Sequence, residues 1–196
     1  MSKDLSQLYA THVEVLRSRF DRALEETGYD GVLIYSGSLT MRFLDDNPYP
    51  FYANPHFRTW IPVNEPECFV FYEAGGKPRV VFHQPVDYWH KAPETPTDFW
   101  VDEVELHIVT SEDQSRETIE TFLGKERKIA FLGEWQDRFE AWVSAEINPN
   151  ALLERLHFER SWKTDYEVEC ISRANDIAAR GHVAARDAFL AGASEY

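Results

Sequence analysis

The sequence predicts an α/β domain, a mixed β-sheet flanked by helices, followed by a long C-terminal helix. Three features predict it. Helical and strand-like segments are interleaved along the chain. The strand-like runs are short and apolar, with turn residues at their ends. From Thr164 to about Leu190 the chain reads as one long helix.

The elements follow in order. Leu5, Leu8, Tyr9, Val13, Leu16, Phe20 and Leu24 recur at helical spacing, giving an amphipathic helix over roughly 4–26 that Gly28 stops. Gly31-Val-Leu-Ile-Tyr35, closed by Ser-Gly-Ser, reads as a buried strand. Residues 41–66 carry Pro48, Pro50, Pro55, Pro62 and Pro66 among aromatics. That excludes a regular helix or central strand, yet the segment is too aromatic for a disordered linker, so an ordered loop is expected. Residues 68–72 and 79–83 form a hairpin around Ala74-Gly-Gly-Lys-Pro78. A second aromatic loop spans Gln84 to Trp100. Strands are expected at 104–109 and 128–132, with a helix at about 115–123 between them. Helices are expected near 135–146 and 149–157, the latter opening at Pro149. Thr164 and Glu167 match a capping box for the long helix. Ser194-Glu195-Tyr196 has the form of a cap for a further helix, so the chain reads as the front of a longer one. An ordinary ragged terminus would look the same.

Composition excludes several classes. The chain has 196 residues and a formal net charge of −14, which argues against nucleic acid or an anionic membrane as partner. No window of eighteen uncharged apolar residues exists, and the N-terminus has no apolar signal core, so no membrane span or secretory signal is expected. Cys68 and Cys170, a hundred residues apart, argue against a disulfide framework and for a reducing cytoplasm.

The chemistry-bearing residues form no complete catalytic set. Nucleotide-binding, nucleophile-elbow and zinc-protease motifs are absent. His83, Asp87 and His90 could supply two imidazoles and a carboxylate to a metal, but their loop fixes no common face, and packed or solvated histidines are the plainer reading. His12 and His182 read as structural. Cys68 opens a strand with no base nearby and reads as core. Asp45-Asp46 precede Asn47-Pro48. They form either a solvated turn or a carboxylate pair for a metal or a ligand's cationic group, beside the apolar wall of Phe43, Tyr49, Phe51 and Tyr52.

Several longer stretches carry a resemblance. They are Phe43-Leu-Asp-Asp-Asn-Pro-Tyr-Pro-Phe51, Asn54-Pro-His-Phe-Arg-Thr-Trp-Ile-Pro62, Pro85-Val-Asp-Tyr-Trp-His90, Ile147-Asn-Pro149, Leu156-His157 and Arg160-Ser-Trp-Lys-Thr-Asp-Tyr-Glu167. In order and over essentially the whole chain, they resemble the bacterial Xaa-Pro dipeptidases (prolidases) and the similar organophosphorus acid anhydrolases. The resemblance implies a creatinase-like N-terminal domain at 1–158, then a linker and the first helix of a "pita-bread" catalytic domain at 159–196. It implies two divalent metals, manganese in the family, held by ligands beyond Tyr196. No metal ligand and no catalytic residue is therefore expected in this chain. A metal-bound hydroxide would attack the peptide bond before a C-terminal proline. Recognising the free amine of an Xaa-Pro dipeptide calls for a carboxylate. The resemblance implies a homodimer in which Asp46 supplies that carboxylate to the partner's substrate pocket, with Asp45 stabilising the turn. Two other readings remain: the same architecture in an organophosphorus acid anhydrolase, and a free-standing domain acting in binding or dimerisation.

Overall fold

The computed structural model describes residues 4–86, 88 and 92–194. Its centre is a six-stranded mixed sheet. The strands are β1 (Gly31–Tyr35), β2 (Phe69–Glu73), β3 (Arg79–His83), β4 (Glu105–Val109), β5 (Ile129–Leu132) and β6 (Glu146–Ile147). They lie in the order β4-β3-β2-β1-β5-β6. Only β2 runs against its neighbours: β1 pairs antiparallel with β2, with Leu33 opposite Phe71, and parallel with β5, with Leu33 opposite Phe131.

The strict two-residue alternation of a strand builds two cores from one sheet. Val32, Ile34, Val70, Tyr72, Ala130 and Leu132 face one side, under α1 (Leu5–Thr27), the short α2 (Pro55–Trp60) and α4 (Asn150–Arg160). Leu33, Phe69, Phe71, Ile129 and Phe131 face the other, under α3 (Glu112–Leu123) and a 3-10 turn at Asp137–Ala141. Because β1 is covered on both faces, all five of its residues are buried, which is why it is apolar without alternation. α1 ends as its sequence dictates: Gly28 takes a φ of 70° and closes the last turn with bonds to Glu25 and Leu24.

Two expectations fail. The segment near 135–146 is not a helix, although Trp135, Phe139, Trp142 and Val143 have helical spacing. It is the 3-10 turn followed by β6. Phe139, fully buried, sits edge-on to Tyr35 and Trp142, and the backbone at 146–147 is taken by the otherwise open edge of β5. Aromatic packing and strand pairing override local periodicity here. The proline-rich loop at 41–66 also contains α2. Its start is a signal read too harshly: Asn54 caps the His56 N–H at 2.9 Å, and Pro55 occupies the first turn, where its missing N–H costs nothing. Smaller shifts occur at α3, which starts at Glu112 after a Ser111 cap, and at the strand ends.

The long helix α5 (Asp165–Leu190) begins with the expected capping box between Thr164 and Glu167. It packs at its N-terminal end: Tyr166 meets Tyr9 at 5.2 Å and His12 at 5.1 Å between ring centroids, and Glu169, Cys170 and Arg173 are half-buried. No residue of α5 is buried, and Ile171, Ile177, Val183 and Phe189 are exposed. The cap suggested at Ser194-Glu195-Tyr196 lies partly outside the described residues. A helix held only by its own hydrogen bonds opens locally. In the dilute chain, amides from about Asp176 to Phe189 should exchange roughly a hundredfold or more faster than those of α1. Protection equal to that of α1 would mean that another surface covers the helix.

Candidate functional site

The chain leaves β1 at Ser36, which is buried. Its N–H donates to the Cys68 carbonyl at 2.9 Å, its carbonyl accepts from Asn54 N–H at 2.8 Å, and its hydroxyl accepts from Cys68 N–H at 2.9 Å. The stretch between Ser36 and Asn54 therefore starts and ends at one anchored point, and it projects as a hairpin-like arm. Tyr49 N–H bonds the Thr40 carbonyl at 2.8 Å, Arg42 N–H bonds Asn47 O at 3.2 Å, and Met41 bridges to Pro48. The tip is a tight turn closed from Asp45 N–H to Arg42 O at 3.2 Å, with Leu44 at a φ of 55°. An αL leucine is unfavourable on its own. It is held here beside Phe43, and the two are 90% and 89% exposed.

The two aspartates sit on this tip. One Asp45 oxygen accepts from both the backbone and the side-chain N–H of Asn47, each at 3.0 Å, and these bonds hold its carboxyl below the ordinary range. Asp45 is thus used by the turn. Asp46, also exposed, accepts one bond from the Asn47 side chain at 3.0 Å and faces no cation within salt-bridge distance among the described residues.

The root of the arm is tied by charge. Glu67, at a φ of 60°, donates its N–H to the Gly37 carbonyl, while its carboxylate accepts from the Tyr35 hydroxyl at 2.7 Å and from Arg138 at 2.5 Å. Tyr35 also bonds Ser38 at 2.6 Å, and Gln136 bonds the same Ser38 hydroxyl. Arg138 reaches Glu112 on α3 at 3.1 Å. Nothing in the spacing of these residues announces this network, because its members come from four separate segments.

His83 ends β3 and lines a cavity of about 200 Å³ with Glu67, Glu112 and Arg138. Asp87 and His90, its companions in the metal reading, lie outside the described residues. Among the described residues no three His, Cys, Asp or Glu side chains converge to hold a metal ion. Cys68 is fully buried, and burial pushes its thiol up to about 12, so it is a core residue. His12 is buried and bonded at both ring nitrogens, to Thr164 and Thr59. His182 lies on the exposed length of α5.

A larger cleft, about 480 Å³, opens under the arm at the carboxyl ends of β1 and β5. Gly133 makes it possible: at a φ of 141°, a Cβ there would sit 3.1 Å from the Tyr35 carbonyl. His56 and His157 line it with rings stacked 5.1 Å apart at 16°. Burial first, then the positive charges of Arg160 and His157, push the His56 imidazole down to about 4. Both histidines stand in the quoted sequence motifs, but neither was readable as a pair.

Comparison with known proteins decides the family. The model of the Xaa-Pro dipeptidase N-terminal domain matches residues 7–158. The chain belongs to that family. Among curated relatives, the Xaa-Pro dipeptidase of Pseudoalteromonas haloplanktis is 40% identical over 98% of this chain and 43% of its own length. That of Aeromonas hydrophila is 40% identical over 97% and 43%, and that of Shewanella loihica 39% over 99% and 44%. The chain therefore spans less than half the length of the relatives it matches. A Bacillus anthracis chain solved as a candidate aminopeptidase P aligns with a TM-score of 0.42 and 15% identity over 86% of this chain and 40% of that one, too loosely to bear on function. Among the described residues no helix is long and apolar enough to cross a membrane.

The low His56 value has a sign. The unfolded chain takes up that proton near pH 6.5 and the folded chain only near 4. The stabilisation is complete above about pH 6.5 and is lost as pH falls towards 4, by up to about 3 kcal/mol. Urea unfolding at pH 7.5 and 4.5 should show a smaller loss in His56→Phe than in the parent chain, and an identical loss would assign the titration elsewhere.

Proposed function

We propose that this domain serves a homodimeric Xaa-Pro dipeptidase in which the arm of one subunit lies over the substrate pocket of the other. The observation that carries this is the tip itself. An αL leucine and a phenylalanine, both about nine-tenths exposed, stand just before an exposed carboxylate that the turn uses for one hydrogen bond from Asn47. Apolar side chains in such a position suit burial against another surface. A carboxylate beside them can receive a substrate ammonium through a charge-assisted hydrogen bond once water is excluded. The prolines of the loop, at fixed φ, lower the ordering cost of that contact. Family membership and the names of the relatives support the substrate class.

The two-manganese centre implied by the resemblance does not fit the described residues, since no three candidate ligands converge. We place it in sequence outside these 196 residues, and the domain's own share of the work is recognition and assembly in a cytoplasmic enzyme. An organophosphorus acid anhydrolase would have the same arm with little use for the ammonium contact.

Two outcomes test this. The purified chain should not hydrolyse Gly-Pro, with or without manganese. Turnover that follows this polypeptide through purification would place the catalytic groups inside it. In the longer protein, Asp46→Asn should lower kcat/KM for Gly-Pro roughly tenfold to a hundredfold, the size of a lost charged hydrogen bond. It should lower kcat/KM far less for a substrate without an amine, such as an organophosphate. Equal losses would show that Asp46 acts through stability alone.

A further inference from the structure

The arm can be aimed only from its root. Among the described residues, every hydrogen bond of residues 40–49 stays within the arm. A two-stranded ribbon is marginal by itself, so its direction comes from the groups that hold its base. At about 3.3 Å per residue, the six steps from Ser38 to Leu44 put the tip up to roughly 20 Å from the root, and a tilt of about 6° then moves it by roughly 2 Å. A hydrogen bond made by the tip does not survive such a shift.

The two legs are held by different means. On the returning leg, Asn64 accepts from Ala53 N–H at 2.9 Å and donates to the Phe51 carbonyl at 2.9 Å. The outgoing leg is held by a chain of hydrogen bonds that runs one way. Burial pushes the Tyr35 hydroxyl up, so it keeps its proton and donates it to the Glu67 carboxylate at 2.7 Å. Tyr35 has no second hydrogen, so the Ser38 hydroxyl at 2.6 Å donates to it, and the Gln136 side chain donates to Ser38 in turn. The chain ends on Glu67, and Arg138 secures that end. Its Nη2 donates to Glu67 at 2.5 Å and to the Tyr35 oxygen at 3.1 Å, while Nη1 reaches Glu112 on α3 at 3.1 Å. A cavity of about 200 Å³ borders Glu67 and Arg138, so packing does not back them on that side and the bonds must.

We propose that Arg138 is a positioning residue for the dipeptidase reaction: by holding Glu67 at the end of the Ser38–Tyr35 chain, it sets the angle of the arm and so the place of the Asp46 carboxylate in the partner's substrate pocket. This rests on the reading of Asp46 given above.

In the longer protein, Arg138→Gln should lower kcat/KM for Gly-Pro by about threefold or more, and by no more than Asp46→Asn does, because the same contact is at stake. Made on top of Asp46→Asn, it should cost less than about twofold. A loss through folding alone would be equal in both backgrounds. Ser38→Ala breaks the chain without removing a charge. It should show the same dependence on Asp46, and it carries the test should Arg138→Gln fail to fold. Arg138→Lys, which keeps the charge but not the planar fork, should recover part of the loss. In the 196-residue chain, nitrogen-15 relaxation should show lower order parameters for amides 40–49 in Arg138→Gln, with β1 and β5 unchanged. Equal losses in the two backgrounds, an arm as ordered as in the parent, or full activity in Arg138→Gln beside a large loss in Asp46→Asn would overturn the proposal. A failure of the Asp46 reading shows separately, as equal losses in Asp46→Asn for Gly-Pro and for a substrate without an amine.

Discussion

Everything that projects from this sheet depends on how one buried residue satisfies its polar groups. Ser36 is where β1 stops being a strand, and at 1% exposure it has no water to bond. A buried backbone group without a partner costs on the order of 1–3 kcal/mol, so the exit must be closed by protein. Cys68 and Asn54 close it, three bonds in all, and in doing so they bring the start of β2 and the cap of α2 to the same point. The arm and the cleft are consequences of that junction. The intervening residues must leave and return within it, and the space beneath them opens because β5 turns the other way.

The junction also carries strain, and the surrounding network explains why it persists. Glu67 holds a left-handed backbone that a non-glycine residue adopts only when over-determined. Its N–H is fixed to Gly37 and its carboxylate to Tyr35 and Arg138, with Arg138 in turn held by Glu112. Glu67 and Arg138 are partly buried, so the charge-assisted bond between them weakens less in water than a surface pair would. A glycine at 67 would relieve the backbone but remove the carboxylate that gathers four segments. Geometry at the arm's root therefore takes precedence over local comfort, as a rigid base for a projecting tip requires.

Legibility followed the range of the forces. β1, the β2–β3 hairpin, α1 and the Thr164–Glu167 capping box are dictated within a few residues, by apolar runs, Gly75-Gly76, Gly28 and cap chemistry, and they appear where the sequence puts them. The segment around Phe139 misleads because its aromatics are spaced for a helix but are claimed by Tyr35, Phe69 and Phe131 from the sheet. The Asp45 turn was visible as Asp-Asn-Pro chemistry. The His56–His157 stack was not: a hundred residues separate the rings, and each alone reads as an ordinary motif residue.

The same principle reaches the long helix. His12 lies between α1, the end of α2 and the cap of α5, and its hydrogen bonds can be assigned without choice. The Thr59 carbonyl only accepts, so Nε2 at 2.8 Å carries the proton. Burial disfavours the charged ring, so Nδ1 is a lone pair, and the Thr164 hydroxyl at 2.7 Å must donate to it. That hydroxyl has one hydrogen, which makes its 3.1 Å approach to the Glu167 carboxylate a contact without a shared proton. Glu167 still accepts from Thr164 N–H at 2.9 Å and donates its own N–H back to the hydroxyl at 3.3 Å. Every donor has one acceptor, and the first turn of α5 is fixed to α1 across 152 positions of sequence. The helix leaves the domain in a direction set by a neutral histidine, and further along it Ile177, Val183 and Phe189 present an exposed apolar face.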